Sequence, residues 1–176
     1  MEMMSKETPI SKGYIADRAL HWISAILLLL MLLNLSSQLH NVDWDIKGQV
    51  EHRQDAVEMH AIFGVVLVVV TLIRLALPRI VKVPLKRIVP KSPRHSLFIT
   101  ATHIAMYTCI FMLAGTGVLL VSNYEIPLSI FGVDLAPDRE AFYGVFPDVH
   151  VVHMHLKQSI WWLIAIHFAG IMYAKR

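Results

Sequence analysis

The sequence contains few charged residues and almost no cysteine. Charged side chains make up 16% of the 176 residues, whereas about 25% is usual for a soluble domain. The single cysteine excludes an internal disulfide framework and any metal or iron–sulfur site built only from cysteines. The shortage of charge argues against both a soluble globular protein and a disordered chain.

Apolar residues are present in excess, at 56% of the chain with a mean hydropathy of +0.55. A transmembrane helix needs about 20 mostly apolar residues, and four stretches qualify. They run from about Ala16 to Ser37, Ala56 to Leu77, Leu97 to Val121 and His153 to Ala174. None alternates as barrel strands do. We therefore predict an all-α, integral membrane four-helix bundle that forms one domain over residues 1–176.

Charges in the predicted loops orient this bundle. We expect the second span to stop at Pro78, since proline cannot continue a helix. The loop that follows contains basic residues and no acid: Arg79, Lys82, Lys86, Arg87, Lys91 and Arg94. The loop Ser122–Val152 has Arg139 as its only Lys or Arg, together with several acids. Because cytoplasmic loops are enriched in Lys and Arg, we predict that both termini are cytoplasmic. The same loop could bind nucleic acid, but its place between two spans favours topology and lipid contact, so we expect no nucleic-acid partner.

Histidines lie at membrane depth, where ionisable residues are rare and mark functional sites. His153 and His167 are 14 residues apart, which places them near one helix face about 21 Å apart. His60 lies at the outer level and pairs by depth with His153. At the inner level both His21 and His103 are candidates to pair with His167.

Two facing histidines at each of two heights suit axial ligation of iron in two b-type haems. The absence of a C-x-x-C-H sequence excludes covalent c-type attachment. Gly64 follows His60 by one helical turn and would leave room for haem packing. Arg74 lies on the same face at the inner level, where it could bind a haem propionate or extend to lipid headgroups. Lys157 has the same two alternatives at the outer haem. Each histidine could instead only hydrogen-bond a neighbouring helix.

Other histidines and the cysteine have different interpretations. His150, His153 and His155 could form a zinc or copper site of a transporter or sensor. That hypothesis leaves the other membrane histidines unexplained, so we favour haem. We expect His40, His52 and His95 to be solvated. Cys109 is interpreted as a small packed hydrophobic residue.

In their order along the chain, these segments resemble the bacterial cytochrome b561 family, which is similar to the b-type cytochrome subunit of nickel–iron hydrogenases. The matching pieces are His21-Trp22, MHAIFGVVLVVVTLIRLAL in the second span, THIAMYTCIFMLAGTGVLLV in the third, the spacing of His153 and His167, and IPLSIFGVDLAP in the outer loop. The resemblance extends from about Ile15 to Ala174.

This resemblance implies two non-covalent haems b in a multi-pass protein of the bacterial inner membrane. His21 and His167 would ligate the inner haem iron and His60 and His153 the outer one. His103 matches a family histidine that is not usually a ligand. The family moves electrons between the quinone pool, with ubiquinone as a candidate substrate, and a donor or acceptor at the outer face, such as a periplasmic or membrane redox protein. Two alternatives are a superoxide oxidase that passes electrons to ubiquinone and a haem-bearing anchor subunit of a separate redox enzyme.

Overall fold

The computed structural model describes residues 12–35, 48–81 and 90–175. The predicted end of the first span at Ser37, the loop residue His40 and most of the basic loop after Pro78 lie outside these residues. Sequence expectations for those segments stay predictions.

Four helices account for most of the described residues. They are α1 (Lys12–Leu30), α2 (Gln49–Ile80), α3 (Pro93–Ser122) and α4 (Arg139–Lys175). A short π-helical segment, Met31–Leu35, continues α1. The prediction of a helical chain with four long helices is confirmed, and a two-stranded hairpin is the one β element of the described chain.

Three of the helices are long and apolar enough to cross a membrane: Lys12–Leu33, Gln49–Ile80 and Pro93–Ser122. Among the described helices α4 is less apolar and does not belong to this group. Its 37 residues are more than long enough, but Trp161, Trp162 and His167 are less apolar than the leucine and valine runs of the other helices. The composition of α4 therefore leaves the fourth span a prediction.

Helix ends differ from the sequence expectation in two places. The prediction that α2 stops at Pro78 is wrong, because α2 continues to Ile80. A proline in the last turn removes only one backbone donor, and the N–H of Val81 closes the helix by donating to the carbonyl of Leu77 at 2.9 Å. Both α2 and α4 begin well before their apolar segments, so the two loops predicted to lie outside the membrane are partly helical.

Local sequence signals explain where two helices begin. Pro93 occupies the first turn of α3, and the side chain of Ser92 accepts a hydrogen bond from the His95 N–H at 3.2 Å. This is the arrangement that favours a helix start, since it satisfies a free backbone donor. Gly48 precedes α2 with φ of 88°, a left-handed conformation that glycine adopts without steric cost.

The helices pack in chain order, with α1 against α2, α2 against α3, and α3 against α4. Their common core consists of Leu28, Leu67, Cys109, Ile110 and Ile160, of which Ile160 is completely buried. Cys109 is a free, buried thiol within this cluster, which confirms its interpretation as a packing residue. All four helices therefore contribute residues to one hydrophobic core.

An outer hairpin packs on the extended start of α2. Its strands are β1 (Leu128–Ile130) and β2 (Val133–Leu135), joined by Phe131 and Gly132 at positive φ. The N–H of Ser129 donates to Oε1 of Glu58 at 2.6 Å. These contacts hold the connection between α3 and α4 against α2, close to His60 and His153.

Candidate functional site

The outer histidine pair joins α2 and α4. His60 and His153 face each other with ring centroids 6.3 Å apart and ring planes at 66°. Both residues are partly buried. The sequence expectation, which paired these two residues by depth, agrees with the position that the fold gives them.

The inner histidine pair joins α1 and α4. The ring centroids of His21 and His167 are 6.4 Å apart, with planes at 58°. Both pairs therefore have almost the same spacing, and α4 contributes one member to each. His153 and His167 are separated by 14 residues, so the pairs lie about 21 Å apart along α4.

This spacing is compatible with an iron ion between the two rings of each pair. A metal–imidazole bond is about 2 Å long, and two such bonds plus the ring radii place the centroids about 6 Å apart. The residues therefore fit a haem with two axial histidines. Two ring nitrogens, Nδ1 of His21 and Nδ1 of His60, are buried and make no hydrogen bond within the described residues. Buried polar atoms are usually paired, so these rings have capacity for a further partner.

His103 also lies at the inner site, but in a different arrangement. Its ring centroid is 5.1 Å from that of His167, with the planes nearly perpendicular at 85°. Its Nδ1 lies 2.7 Å from the carbonyl oxygen of Ile99, one helical turn earlier. The shorter spacing suits edge-to-face contact better than an intervening iron, so the geometry favours His21 as the partner of His167.

A cavity of about 490 Å³ surrounds the outer pair. Apolar side chains form most of its wall, and Lys157 is the one Lys or Arg among its described lining residues. Gly64, Gly115 and Gly117 also line it. A Cβ atom at Gly115 would meet no other atom within 4 Å. Small residues at these positions keep space open beside the two histidines, as a flat macrocycle requires.

A second cavity of about 900 Å³ surrounds the inner pair and is much more polar. Arg74 lines it together with His21 and His167, and its guanidinium carbon lies 5.9 Å from the centre of the Tyr107 ring. Arg74 thus faces the cavity rather than only the lipid surface. This position supports the propionate interpretation of Arg74 over the interpretation that it extends to headgroups.

Sequence reasoning missed an acid in the inner cavity. Asp17 is only 3% exposed, lines the cavity and forms an ion pair with Arg18. Its position one helical turn before His21 was the available signal, because residues four apart share a helix face. An ionisable residue at this depth also marks a functional region.

Sequence reasoning also missed a partner of His153. Oγ1 of Thr116 in α3 lies 2.8 Å from Nδ1 of His153. No spacing within the sequence pointed to this pair, because it depends on which face of α3 packs against α4.

The alternative metal site is not supported by the fold. No group of three His, Cys, Asp or Glu residues suitable for a metal ion occurs in the part of the chain that the structure describes. His150 stacks on Phe146, with centroids 5.3 Å apart, and His155 is exposed. The three clustered histidines therefore point in different directions along the helix.

One of the histidines expected to be solvated is buried. His95 is only 6% exposed; its Nδ1 accepts the Lys91 N–H at 3.1 Å, and its ring meets the Tyr173 ring at 5.1 Å. The prediction for His95 is wrong because α3 begins before its apolar run and packs its first turn against the end of α4. His52 is exposed as expected.

Comparison with known proteins gives one family. The model of the prokaryotic cytochrome b561 family matches residues 15–176, which is nearly the whole chain. No curated protein and no solved structure is significantly similar to the chain.

Proposed function

Because the chain belongs to the prokaryotic cytochrome b561 family, we propose that it carries electrons between two haems b, one held at each histidine pair. The family implies a transmembrane b-type cytochrome that binds haem b and functions in electron transfer. The number of haems, the ligand residues and the electron partners are parts of the proposal. The observation that carries it is the nearly equal spacing of the two pairs, 6.4 Å and 6.3 Å.

The ligand assignment follows from that spacing. His21 and His167 would hold the inner haem, and His60 and His153 the outer haem. Each haem, when bound, supplies one reversible one-electron redox centre. Two histidine side chains held at each haem would leave no iron position open to oxygen, so the haem would supply electron transfer rather than oxygen binding.

Other residues of the chain position the cofactors and set their surroundings. Arg74 supplies a cation in the inner cavity, suited to pairing with a propionate. Gly64 lines the outer cavity one turn from His60, where a larger side chain would fill the available space. The apolar wall of the outer cavity would offer water few hydrogen-bonding partners at that site.

The membrane arrangement is part of the same proposal. Although α4 is less apolar than the other helices, its 37 residues carry one histidine of each pair. Its segment from His153 to Ala174 would form the fourth span, with both termini in the cytoplasm of a bacterium and the chain in the inner membrane as a single domain. The basic residues before α3 and the acidic outer connection support this orientation.

We assign quinone exchange to the inner cavity. That cavity is nearly twice as large as the outer one and has polar lining residues that include His103 and Tyr107. If Nδ1 of His103 donates to the carbonyl of Ile99, its Nε2 is left as an acceptor suited to a quinol hydroxyl. The space and polarity thus suit ubiquinone beside the inner haem, and His103 is our candidate for proton exchange with it.

A second candidate function, superoxide oxidation, is favoured by Lys157. This lysine lines the outer cavity one turn after His153. Its positive charge would attract a small anionic donor to the outer site. The acidic outer connection works against that attraction, so we keep superoxide as the second candidate, with a periplasmic or membrane redox protein as the other source of electrons.

The purified protein tests this proposal directly. We expect about two haems b per chain by pyridine haemochrome assay and a low-spin visible spectrum. Anaerobic mixing with ubiquinol, with superoxide and with candidate redox proteins identifies the partners. Substitution of His103 by Ala should slow reduction by quinol and leave the haem content unchanged. A colourless preparation from haem-replete cells would contradict the proposal, and copurification with another enzyme would favour the anchor-subunit alternative.

A further inference from the structure

The hydroxyl group of Thr116 has three neighbours and only one proton. Its Oγ1 lies 2.8 Å from Nδ1 of His153, 2.9 Å from the carbonyl oxygen of Met112 and 3.0 Å from that of Leu113. Carbonyl oxygens can only accept a hydrogen bond, so at either carbonyl the hydroxyl must be the donor. While the hydroxyl donates to either carbonyl, its contact with His153 uses a lone pair of Oγ1.

This distribution of protons determines the tautomer of His153. If Oγ1 accepts, Nδ1 of the imidazole carries the proton, and Nε2 keeps its lone pair. We infer that Thr116 is a positioning residue that holds His153 as the Nδ1–H tautomer and presents Nε2 to the outer haem iron. The inference rests on the proposed function, because it gives His153 the role of a haem ligand.

Packing of α3 against α4 makes the contact possible. Thr116 lies between Gly115 and Gly117, and a Cβ atom at Gly117 would already lie 3.9 Å from Cε1 of His153. Small residues on both sides allow the helix backbone to approach the ring closely. The short side chain of Thr116 therefore has little freedom, and the α3 backbone holds its hydroxyl beside the His153 ring.

The contact also distinguishes His153 from its partner. Nδ1 of His60 has no hydrogen-bond partner within the described residues, and the same is true of Nδ1 of His21. A ligand histidine can donate a hydrogen bond from the ring nitrogen that does not bind the metal. Such a bond fixes the ring and makes the ligand more basic. A more basic ligand stabilises the oxidised iron, so Thr116 would lower the midpoint potential of the outer haem alone.

The test compares three variants of the purified, haem-loaded protein. Thr116→Val removes the hydroxyl at nearly constant volume, and Thr116→Ser retains it. Thr71→Val is the matched control, because Thr71 is a buried threonine whose hydroxyl donates only to the carbonyl of Leu67 at 2.7 Å. The measurements are a potentiometric titration, the electron paramagnetic resonance spectrum of the oxidised haems and the affinity for haem. The His60→Ala variant identifies which signals belong to the outer haem.

We expect Thr116→Val to raise the outer midpoint potential, shift the outer resonance signal and weaken outer haem binding by about 10–100-fold. Thr116→Ser should remain close to the wild type, and Thr71→Val should match the wild type at both haems. Loss of the outer haem from Thr116→Val alone would also support the inference. Equal behaviour of Thr116→Val and Thr71→Val would overturn it. A wild-type protein without two haems would instead refute the proposed function.

Discussion

His153 and His167 lie on one helix, but each faces a histidine from a different helix. We therefore predict that His60→Ala and His153→Ala each remove the same proposed haem and leave the other largely intact, because the inner pair shares no residue with the outer pair. The haem content and the redox titration of each variant check this. If either substitution removed the haem that His167→Ala removes, the pairing would be wrong.

Arg74 offers a second test at the scale of single residues. Its cation lines the inner cavity beside His21 and His167. We predict that Arg74→Gln lowers the inner midpoint potential, since loss of a nearby positive charge disfavours the electron-rich reduced state. Loss of a charged hydrogen bond should also weaken inner haem binding by about tenfold or more.

Arg94 is the control for this substitution. It lies in the first turn of α3, is exposed and is not among the described residues that line the inner cavity. Arg94→Gln should leave both haems unchanged in redox titration and haem-binding measurements. Equal effects of the two substitutions would show that Arg74 acts only through the general charge of the inner surface.

The sequence predicted the main residues of the candidate site, and physical reasons explain what it left open. The spacing of His153 and His167 placed them on one face, and depth alone paired His60 with His153. Depth could not decide between His21 and His103, because α1 and α3 both place a histidine at the inner level. Thr116 could not be predicted, since α3 is apolar around most of its circumference and its sequence does not show which face meets α4.

At the scale of helices, α4 joins the core through Ile160, which is 0% exposed. We predict that Ile160→Ala lowers stability by about 2–5 kcal/mol, because it leaves a cavity among Leu28, Leu67 and Cys109. The effect is measured by thermal unfolding in detergent, monitored as the loss of the helical circular dichroism signal.

Ile166→Ala is the control, since Ile166 belongs to the same helix and is 40% exposed. Its truncation should change the unfolding temperature little. An equal loss of stability in both variants would mean that burial of Ile160 in the core is not what stabilises α4.

Hydropathy also explains which elements the sequence did not show. The apolar runs predicted the parts of α2 and α4 that lie at membrane depth, but the polar turns before them carry no hydropathy signal. Likewise, the outer hairpin is held by single polar contacts, such as Ser129 with Glu58. Such contacts depend on tertiary packing and leave no periodic pattern.

At the scale of the whole molecule, the four-span arrangement predicts that both ends of the chain lie on the cytoplasmic side. A green fluorescent protein fused after Arg176 should fluoresce, and an alkaline phosphatase at the same place should be inactive. The same pair of reporters fused to a chain truncated after Asn123, at the outer end of α3, is the control and should give the opposite result. An active phosphatase after Arg176 would show that α4 does not cross the membrane.

One member of each histidine pair is carried by α4, so the distance between the two proposed haems would be set by a single stretch of helix. One residue inserted between His153 and His167 would rotate one histidine by about 100° relative to the other around the helix axis. One of the two would then no longer face its partner histidine. Seven inserted residues would nearly restore the bearing but lengthen the gap by about 10 Å. Because of the helical repeat, only certain insertion lengths would keep both histidine pairs aligned. The distance between the two proposed haems could therefore change only in large steps.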